Sequence, residues 1–435
     1  MLSYRTLSLF LVLTSSSLTH ATELADFYFE AIKSDPRLAS SKAEVGVSEA
    51  QKRQSLASLL PQVALNNSIS KIRYQNDGSD VVEYTGERHS LSLTQQVYNR
   101  ELWLDNKIHK SQVEQSKADL ANVTASVALD ITQRYVAVLS AENRLKLTKE
   151  QIKSTLTHLG LLKSRYSRQL ALKTEVLDVE ARLQLLRIDE IDVQNSVYIA
   201  RESLTEIINR EVVESLGEFV DEIPYKKTMS SSDFVDYALK NSSILRSIEA
   251  EVESAELGLS KQNAGHLPQL NFQLSAQQSN IGFENAPNSD TDSYSASLNL
   301  TIPIYSGGSV SARAREYRKR IIIAKQKYER HKRELVKLVR ESYFNTESGW
   351  KRIKASRQAI KSTVKSNEAM NKSFDYGTVT VVDVLDSLND KLEAEHNFKQ
   401  AQYDFIVNYI ELQQLTGLLT EDTMKATGKW QKHKK

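Results

Sequence analysis

One pattern occurs twice in the sequence, and this internal duplication constrains the fold more than any other feature. The segments LLPQVALNNS and HLPQLNFQLS place Pro61 and Pro268 at positions that lie 207 residues apart. At that offset, one ungapped register of matching residues relates 26–98 to 233–305. A period of this length is far greater than that of a solenoid unit. The sequence therefore predicts two copies of a whole half-protein.

The ends of the duplication set the predicted domain boundaries. Arg5 precedes an apolar, Ser-rich run that ends near small residues at Ala21, which is typical of a secretory signal peptide. A buried first helix is the alternative, but the run is too short to span a bilayer. The predicted organisation is a signal peptide over 1–21, a first repeat over 22–209, a linker over 210–231, a second repeat over 232–418 and a C-terminal tail over 419–435.

Composition argues against several classes of protein. The chain has 435 residues, no cysteine and a formal net charge of +2 at pH 7. Without cysteine there is neither a disulfide, nor a cysteine-ligated metal site, nor a lipid-modified N-terminal cysteine. The nearly balanced charge gives no indication of a nucleic-acid partner. The sequence also contains no His-Glu-x-x-His, Gly-x-Ser-x-Gly or phosphate-loop motif, so we expect no enzyme, no cofactor and no metal site.

Two long stretches lack helix breakers. Between Leu102 and Asn209 the only glycine is Gly160, and strong helix formers dominate. An apolar residue recurs every seven positions from Ile131 to Tyr166, which predicts coiled-coil packing. A helix over 101–165 would be about 100 Å long. The sequence therefore predicts a shaft in which long helices over 101–165 and 309–374 pack beside shorter ones over 23–59, 174–209, 232–265 and 381–416.

The segments between these helices alternate with a period of two. Apolar residues at even positions from Tyr294 to Ile304 are separated by serine, asparagine and threonine at most odd positions, which predicts strands with one apolar face. We predict one hairpin per repeat, over 62–98 and 269–305. A soluble sheet with one wet face is the alternative. Strands of about 12 residues can cross a bilayer, but four per chain cannot close a barrel alone, so this interpretation requires an oligomer.

Two further motifs resemble the TolC family of outer-membrane channel proteins. The run IPIYSGG over 302–308 resembles the family's strand-to-helix junction, and the run GTVTVVDVLD over 377–386 resembles its periplasmic tip loop. The resemblance extends over about 22–419. It implies a mainly α fold with a small β part, in which a homotrimer with four strands per chain forms a transmembrane β-barrel and a long α-helical coiled-coil barrel. The strand-helix junctions would contain Pro61, Pro268, Pro303, Gly307 and Gly308.

The resemblance also implies a pore constriction at Asp383 and Asp386. These carboxylates are three positions apart and share a helix face. A local alternative is that Thr380 and Asp383 form a capping box at the start of a helix. The implied tip residues are Phe374, Tyr376, Gly377 and Thr378. Family members that close the tip with a tyrosine and an arginine have those residues where this chain has Phe374 and Val379.

The function implied is a passive exit duct across the outer membrane and periplasm, for type I protein secretion or small-molecule efflux. It would open when partners are recruited at the periplasmic tip. The implied partners are a periplasmic adaptor, an inner-membrane ABC or other transporter, and outer-membrane lipid, with no nucleic acid. A soluble periplasmic coiled-coil adaptor or scaffold is the alternative, although an adaptor needs no lipid-facing strands. The basic cluster over 313–320 is interpreted as a solvated helix face, with lipid headgroups or the shaft interior as alternatives.

Overall fold

Two helices of 68 and 67 residues set the length of the protein, which we describe from a computed structural model. The structure describes residues 23–75, 77–78, 80–227, 229–281 and 290–431. The predicted signal peptide and the last four residues lie outside this part of the chain. The elements are α1 (Leu24–Ser34), α2 (Pro36–Ala57), β1 (Gln62–Tyr74), β2 (Val82–Tyr98), α3 (Arg100–Ser167), α4 (Lys173–Ile208), α5 (Ser231–Asn241), α6 (Ser243–Asn263), β3 (Gln269–Ser279), β4 (Thr291–Thr301), α7 (Ser309–Asp375), α8 (Val381–Thr416) and α9 (Glu421–Gly428).

The helix boundaries follow local chemistry. Asn99 caps α3, because its side chain accepts a hydrogen bond from the Glu101 amide at 3.1 Å. The helices α4 and α8 both end on left-handed residues, Asn209 and Gly417. At about 1.5 Å per residue, α3 and α7 each extend roughly 100 Å.

The prediction of single helices over 23–59 and 232–265 was wrong. Each stretch is divided into two helices, at Asp35 and at Ser242. In the first case Pro36 cannot donate its amide to α1, and it becomes the first residue of α2. The Asp35 carboxylate then accepts a hydrogen bond from the Arg37 amide at 2.7 Å.

The helices form two layers that share α3 and α7. Near the sheet the packing order is α2–α3–α6–α7, which we call the proximal layer. Away from the sheet the order is α4–α3–α8–α7, which we call the distal layer. The sheet has the matching order β1–β2–β3–β4, with every neighbouring pair antiparallel. Within the described residues, α2, α4 and α7 are therefore the outermost helices of their layers, with α1 as a further contact of α4 and α5 as a further contact of α7.

The main hydrophobic core lies where the two layers meet. It brings together α1, the middle of α3, the end of α4, the linker and α8. Gln431 closes this core, since its amide donates to Tyr135 Oη at 2.7 Å and accepts from the Leu24 amide at 2.8 Å. The described part of the predicted C-terminal tail is thus an ordered element, in which α9 packs against α1. No helix in the described ranges combines the length and apolar character needed to cross a membrane.

Candidate functional site

The sheet has one apolar and one polar face. Opposed residues in antiparallel strands share a face, and the register pairs Leu93 with Leu274 and Phe272 with Leu298. The same face continues through Val63, Leu65, Leu91, Leu270, Ala276, Tyr294, Ala296 and Leu300. No other element of the described residues covers this face, and Leu298 and Tyr294 have 63% and 83% of their surfaces exposed. An apolar face of this width is unusual for a surface in water.

The opposite face contains neutral polar side chains. Ser297 lies opposite Gln273, and Ser295 lies opposite Ser275 with their hydroxyl oxygens 2.8 Å apart. The face continues through Gln62, Asn66, Ser90, Ser92, Thr94, Asn271, Gln277, Ser293 and Asn299. Leu298 and Ser297 therefore lie on opposite faces, and the separation of apolar from polar side chains is present along β3 and β4 and, with Ala64 as the exception, between the pairs Gln62–Thr94 and Asn66–Ser90 of β1 and β2.

Both ends of the apolar face are marked by a change in residue type. At the end far from the helices, β1 and β2 continue into charged residues, including an Arg73–Glu83 ion pair of 3.3 Å. At the other end, Pro61 and Pro268 precede strands, while Gly307 and Gly308 adopt left-handed conformations before α7. The second hairpin ends at Thr301 rather than at Tyr305, just before Pro303.

The distal ends of the two repeats form a second candidate region, which we call the tip. The loop after α3 and the loop after α7 have the same backbone course. Gln169 and Gly377 occupy equivalent left-handed positions, with φ angles of 62° and 74°. Side chains of all four helices pack there in a separate hydrophobic cluster, which includes Leu162, Val179 and Phe374. The duplication thus places both loops at one end of the shaft.

Phe374 is buried in the tip cluster. Only 5% of its surface is exposed, and the Arg165 guanidinium lies 4.3 Å from its ring centroid. His158 approaches the same ring edge-on at 5.9 Å. Burial lowers the pKa of His158, although the nearby Asp375 carboxylate acts in the opposite direction. Arg165 therefore supplies the cation at this contact, in a cation–π arrangement between α3 and α7.

The exposed loop residues differ from Phe374. Tyr376 keeps 84% of its surface exposed. Gly377 donates its amide to the Phe374 carbonyl at 3.0 Å, and Thr378 donates both its amide and its hydroxyl to the Ser373 carbonyl. Val379 packs partly against the tip cluster. Hydrogen bonds to backbone carbonyls hold the loop, and the exposed Tyr376 side chain is available for contacts outside the chain.

Asp383 caps α8. Its carboxylate accepts hydrogen bonds from the Thr380 amide at 2.8 Å and from the Thr380 hydroxyl at 2.7 Å. These hydrogen bonds lower the pKa of Asp383, so the carboxylate is ionised at neutral pH. The local alternative considered for this residue is therefore present. Capping does not bury the carboxylate, which remains on the exposed side of the helix.

Asp386 is held by an arginine that the sequence did not single out. The Arg182 guanidinium on α4 lies 2.5 Å from the Asp386 carboxylate on α8. The Asp386 side chain is 61% exposed and that of Arg182 is 27% exposed. Arg182 and Asp386 are 204 positions apart, and Arg165 and Phe374 are 209 positions apart. No local sequence pattern therefore indicates either contact. The partners of each contact come from different repeats, and they meet because both repeats have their distal ends at the tip.

The remaining search for chemistry gave no catalytic arrangement. Within the described ranges, no group of three or more histidine, aspartate or glutamate side chains could hold a metal ion. One recess of the shaft surface, of about 640 Å³, is lined by Val197, Tyr198 and Val213 among others. The arrangement is one of surfaces and loops, with a two-faced sheet at one end and a pair of exposed carboxylates at the other.

Comparison with known proteins identifies relatives of the same design. A sequence model of the family described as Outer membrane efflux protein matches residues 28–210 and again 234–418. Outer membrane protein TolC of Vibrio cholerae serotype O1 is 27% identical over 414 residues, which cover 94% of this chain and 93% of that protein. The alkaline protease secretion protein AprF of Pseudomonas aeruginosa is 23% identical over 412 residues, which cover 92% and 85%.

Solved structures of low sequence identity share the fold. The crystal structure of CusC has a TM-score of 0.80 at 15% identity, with 91% of this chain and 92% of that chain covered. The outer membrane protein VceC from Vibrio cholerae has a TM-score of 0.77 at 14% identity, with 91% and 96% covered. The match includes helices and strands together over nearly the whole chain.

Proposed function

The chain belongs to the Outer membrane efflux protein family, and from this premise we propose that it is a passive exit duct formed by a closed ring of three copies. It is an outer-membrane protein with a mainly helical shaft. The observation that carries the proposal is the four-stranded sheet with one apolar face, one neutral polar face and two free edges. Exposed backbone groups at those edges are costly in lipid. Closure with further copies removes the edges and turns the polar face toward a water-filled lumen.

The sheet, the proximal layer and the distal layer have their outermost elements on the same two sides of the chain. β1 leads out of α2, and β4 leads into α7. The outermost elements are therefore β1, α2 and α4 on one side of the chain, and β4 and α7 on the other, with α1 contacting part of α4 and α5 contacting part of α7. A head-to-tail contact of this kind generates a ring if its rotation closes. Twelve strands, as three copies supply, lie within the range of known outer-membrane barrels.

The distal layer has complementary side chains at its two edges. The exposed face of α4 carries large apolar residues, and Ile188 and Ile191 keep 58% and 68% of their surfaces exposed. The exposed face of α7 carries small residues at helical spacing, at Ala355, Ala359, Ser362, Ser366 and Ala369. Ile188 follows the start of α4 by about 22 Å, and Ala359 precedes the end of α7 by about 24 Å. Large residues of one copy thus match small residues of the next at the same height.

The tip is where the duct would be closed. We place Asp383 and Asp386 of the three copies around the constriction, where converging carboxylates concentrate a field that favours cations. Within each copy, the Arg165–Phe374 and Arg182–Asp386 contacts join the α3–α4 side to the α7–α8 side. These contacts take the place of a tyrosine-arginine lock. A periplasmic adaptor and an inner-membrane transporter, recruited at Tyr376, Gly377 and Thr378, would separate the two sides.

The cargo class follows only from relatives. AprF is named as an alkaline protease secretion protein, and PrtF of Dickeya chrysanthemi as a proteases secretion protein. We propose protein secretion or small-molecule efflux accordingly, with no chemistry performed on the cargo. The lumen-facing serine, threonine and glutamine side chains bind neither charge strongly, which suits a passive route.

Single-channel recording in planar bilayers tests this function. The parent protein should give discrete openings that are cation-selective and blocked by hexamminecobalt(III). Asp383→Asn with Asp386→Asn removes the charges, while the amide oxygen of asparagine can still accept the hydrogen bonds that Thr380 donates at the start of α8, so this variant should assemble and lose both properties. Glu421→Gln with Asp422→Asn on α9 is the matched control and should behave as the parent. A parent that gives no channels, or that fractionates only as a soluble periplasmic monomer, would refute the duct.

A further inference from the structure

The first three turns of α7 contain a cluster of cations that is not used within the chain. Arg313, Arg315, Arg318 and Lys319, which we call the basic collar, are all exposed. In the described part of the chain, none of the four forms an ion pair, whereas the adjacent Arg320 pairs with Glu316 at 2.6 Å. The helix dipole disfavours positive charge in the first turns of a helix. The basic collar therefore does not stabilise α7 itself.

The duplication does not account for the basic collar either. The first 32 residues of α7 contain twelve lysines and arginines against three acidic residues. The first 32 residues of α3 contain four against five. There Asp105 forms an ion pair with Lys261 at 2.5 Å, so a charged residue of α3 contacts another helix of the same chain. The excess of cations belongs to α7 alone.

Exposed aromatic and aliphatic residues lie directly beside the basic collar. Between β4 and α7, Ile304 and Tyr305 keep 94% and 86% of their surfaces exposed. At the equivalent end of the first hairpin, Tyr98 and Trp103 keep 44% and 55%. Tyrosine and tryptophan at this position relative to an apolar band are typical of a membrane–water interface. They locate the headgroup layer at the junction between the sheet and α7.

The distances fit a contact with that layer. The basic collar begins four residues and ends ten residues after Ser309, which corresponds to about 6–15 Å along the helix axis. Each headgroup region is about 5–8 Å thick, and arginine and lysine side chains extend to reach it. A second exposed basic group on α7, Arg330, Arg333, Lys337 and Arg340, begins about 30 Å from the helix start. This lower group lies beyond the Debye length of about 8 Å at physiological salt.

We propose that the basic collar binds anionic phospholipid headgroups in the periplasmic leaflet of the outer membrane. The inference rests on the proposed function, because it requires the apolar face of the sheet to lie in that membrane. Phosphate oxygens accept hydrogen bonds from arginine with favourable geometry, and a basic residue near an anionic surface favours binding by about fivefold. In each copy the lipid contact would thus lie on the second repeat. A basic helix face that only contacts water would not explain why exposed aromatic residues lie beside the basic collar.

The test uses the intact protein reconstituted in phosphatidylcholine vesicles with spin-labelled phosphatidylglycerol or spin-labelled phosphatidylcholine. Flotation first establishes that each variant inserts. The ratio of protein-bound label for the two lipids should favour phosphatidylglycerol by at least about fivefold at low salt and fall toward one at 1 M salt. Exchange of the four collar residues for glutamine should abolish the preference. Exchange of the four residues of the lower group for glutamine should leave it intact.

The outcomes separate the inference from the function it rests on. A parent protein that fails to float with vesicles overturns both. A parent that floats without preferring phosphatidylglycerol, or a collar variant that keeps the preference, overturns the inference alone. Equal loss in both variants also overturns it, since that result would indicate a general effect of net charge. A collar variant that inserts only as a monomer would assign these cations to contact with a second copy and overturn the lipid contact.

Discussion

Replacing Leu298 with arginine should prevent assembly, whereas replacing its neighbour Ser297 should not. Leu298 is the middle member of the apolar series that runs from Tyr294 on β4 to Ile302, which directly follows β4. At about 3.3 Å per residue, the ends of that series lie roughly 13 Å away on either side. Leu298 therefore lies near the midplane, where arginine costs about 2–4 kcal/mol per chain. In a ring of three copies the cost is about 6–12 kcal/mol, comparable with the whole stability of a domain.

The assay is the yield of heat-modifiable oligomer in the outer-membrane fraction, measured by immunoblot of unheated and heated samples. Leu298→Arg should reduce the yield to a small fraction of the parent. Ser297→Arg should remain close to the parent, because its side chain enters the polar face beside Gln273. Ile302→Arg, near the edge of the band, should have an intermediate effect, with a cost of about 0–1 kcal/mol per chain. Equal yields for Leu298→Arg and Ser297→Arg would refute the assignment of faces.

Three other perturbations have directions fixed by the structure. Arg182→Gln should change stability by less than about 1 kcal/mol, because the pair is partly exposed, yet it should increase block by hexamminecobalt(III) in single-channel recordings, since Asp386 loses its partner. Glu411→Gln should raise the dissociation temperature of the oligomer at pH 7 and not at pH 4. Burial raises the pKa of Glu411, and the negative charge of Glu341 adds to this effect. The stabilising contribution of the protonated Glu411 carboxyl is therefore present below its ordinary pKa, and it is lost as the pH rises through the raised pKa. Gln431→Ala should lower the thermal midpoint, at a cost of about 1–3 kcal/mol, because the buried Leu24 amide loses its acceptor; an unchanged midpoint would show that the C-terminal segment is dispensable.

The sequence predicts features that depend on local periodicity. The alternation around Leu298 fixes the two faces of the sheet, because the side-chain period of a strand is two. When the repeat offset is increased by one to 208, the internal alignment pairs Gln169 with Gly377, and both are left-handed. The continuity of α3 follows from the lack of helix breakers between Leu102 and Asn209, although neither glycine nor proline marks the turn between α3 and α4. Each of these inferences needs only neighbouring residues or an internal alignment.

Contacts between distant segments were not predictable in the same way. The Arg182–Asp386 pair depends on how far α4 and α8 rotate about their axes, which periodicity does not specify. The C-terminal segment is ordered because Gln431 enters a core formed by other helices, which local periodicity does not indicate. The division between α1 and α2, by contrast, has a local signal, because Asp35 followed by Pro36 is typical of a helix start.

Disulfide formation across the proposed seam tests ring closure most directly. The parent has no cysteine, so Ile188→Cys combined with Ala359→Cys introduces one pair that can meet only between copies, at about 22 and 24 Å from the tip. Under mild oxidation in membranes, the double variant should give covalent dimers and trimers that disappear on reduction, with no larger species. Each single variant should remain monomeric on the same denaturing gel. A double variant that stays monomeric, or that forms a ladder extending beyond the trimer, would contradict a closed ring of three copies.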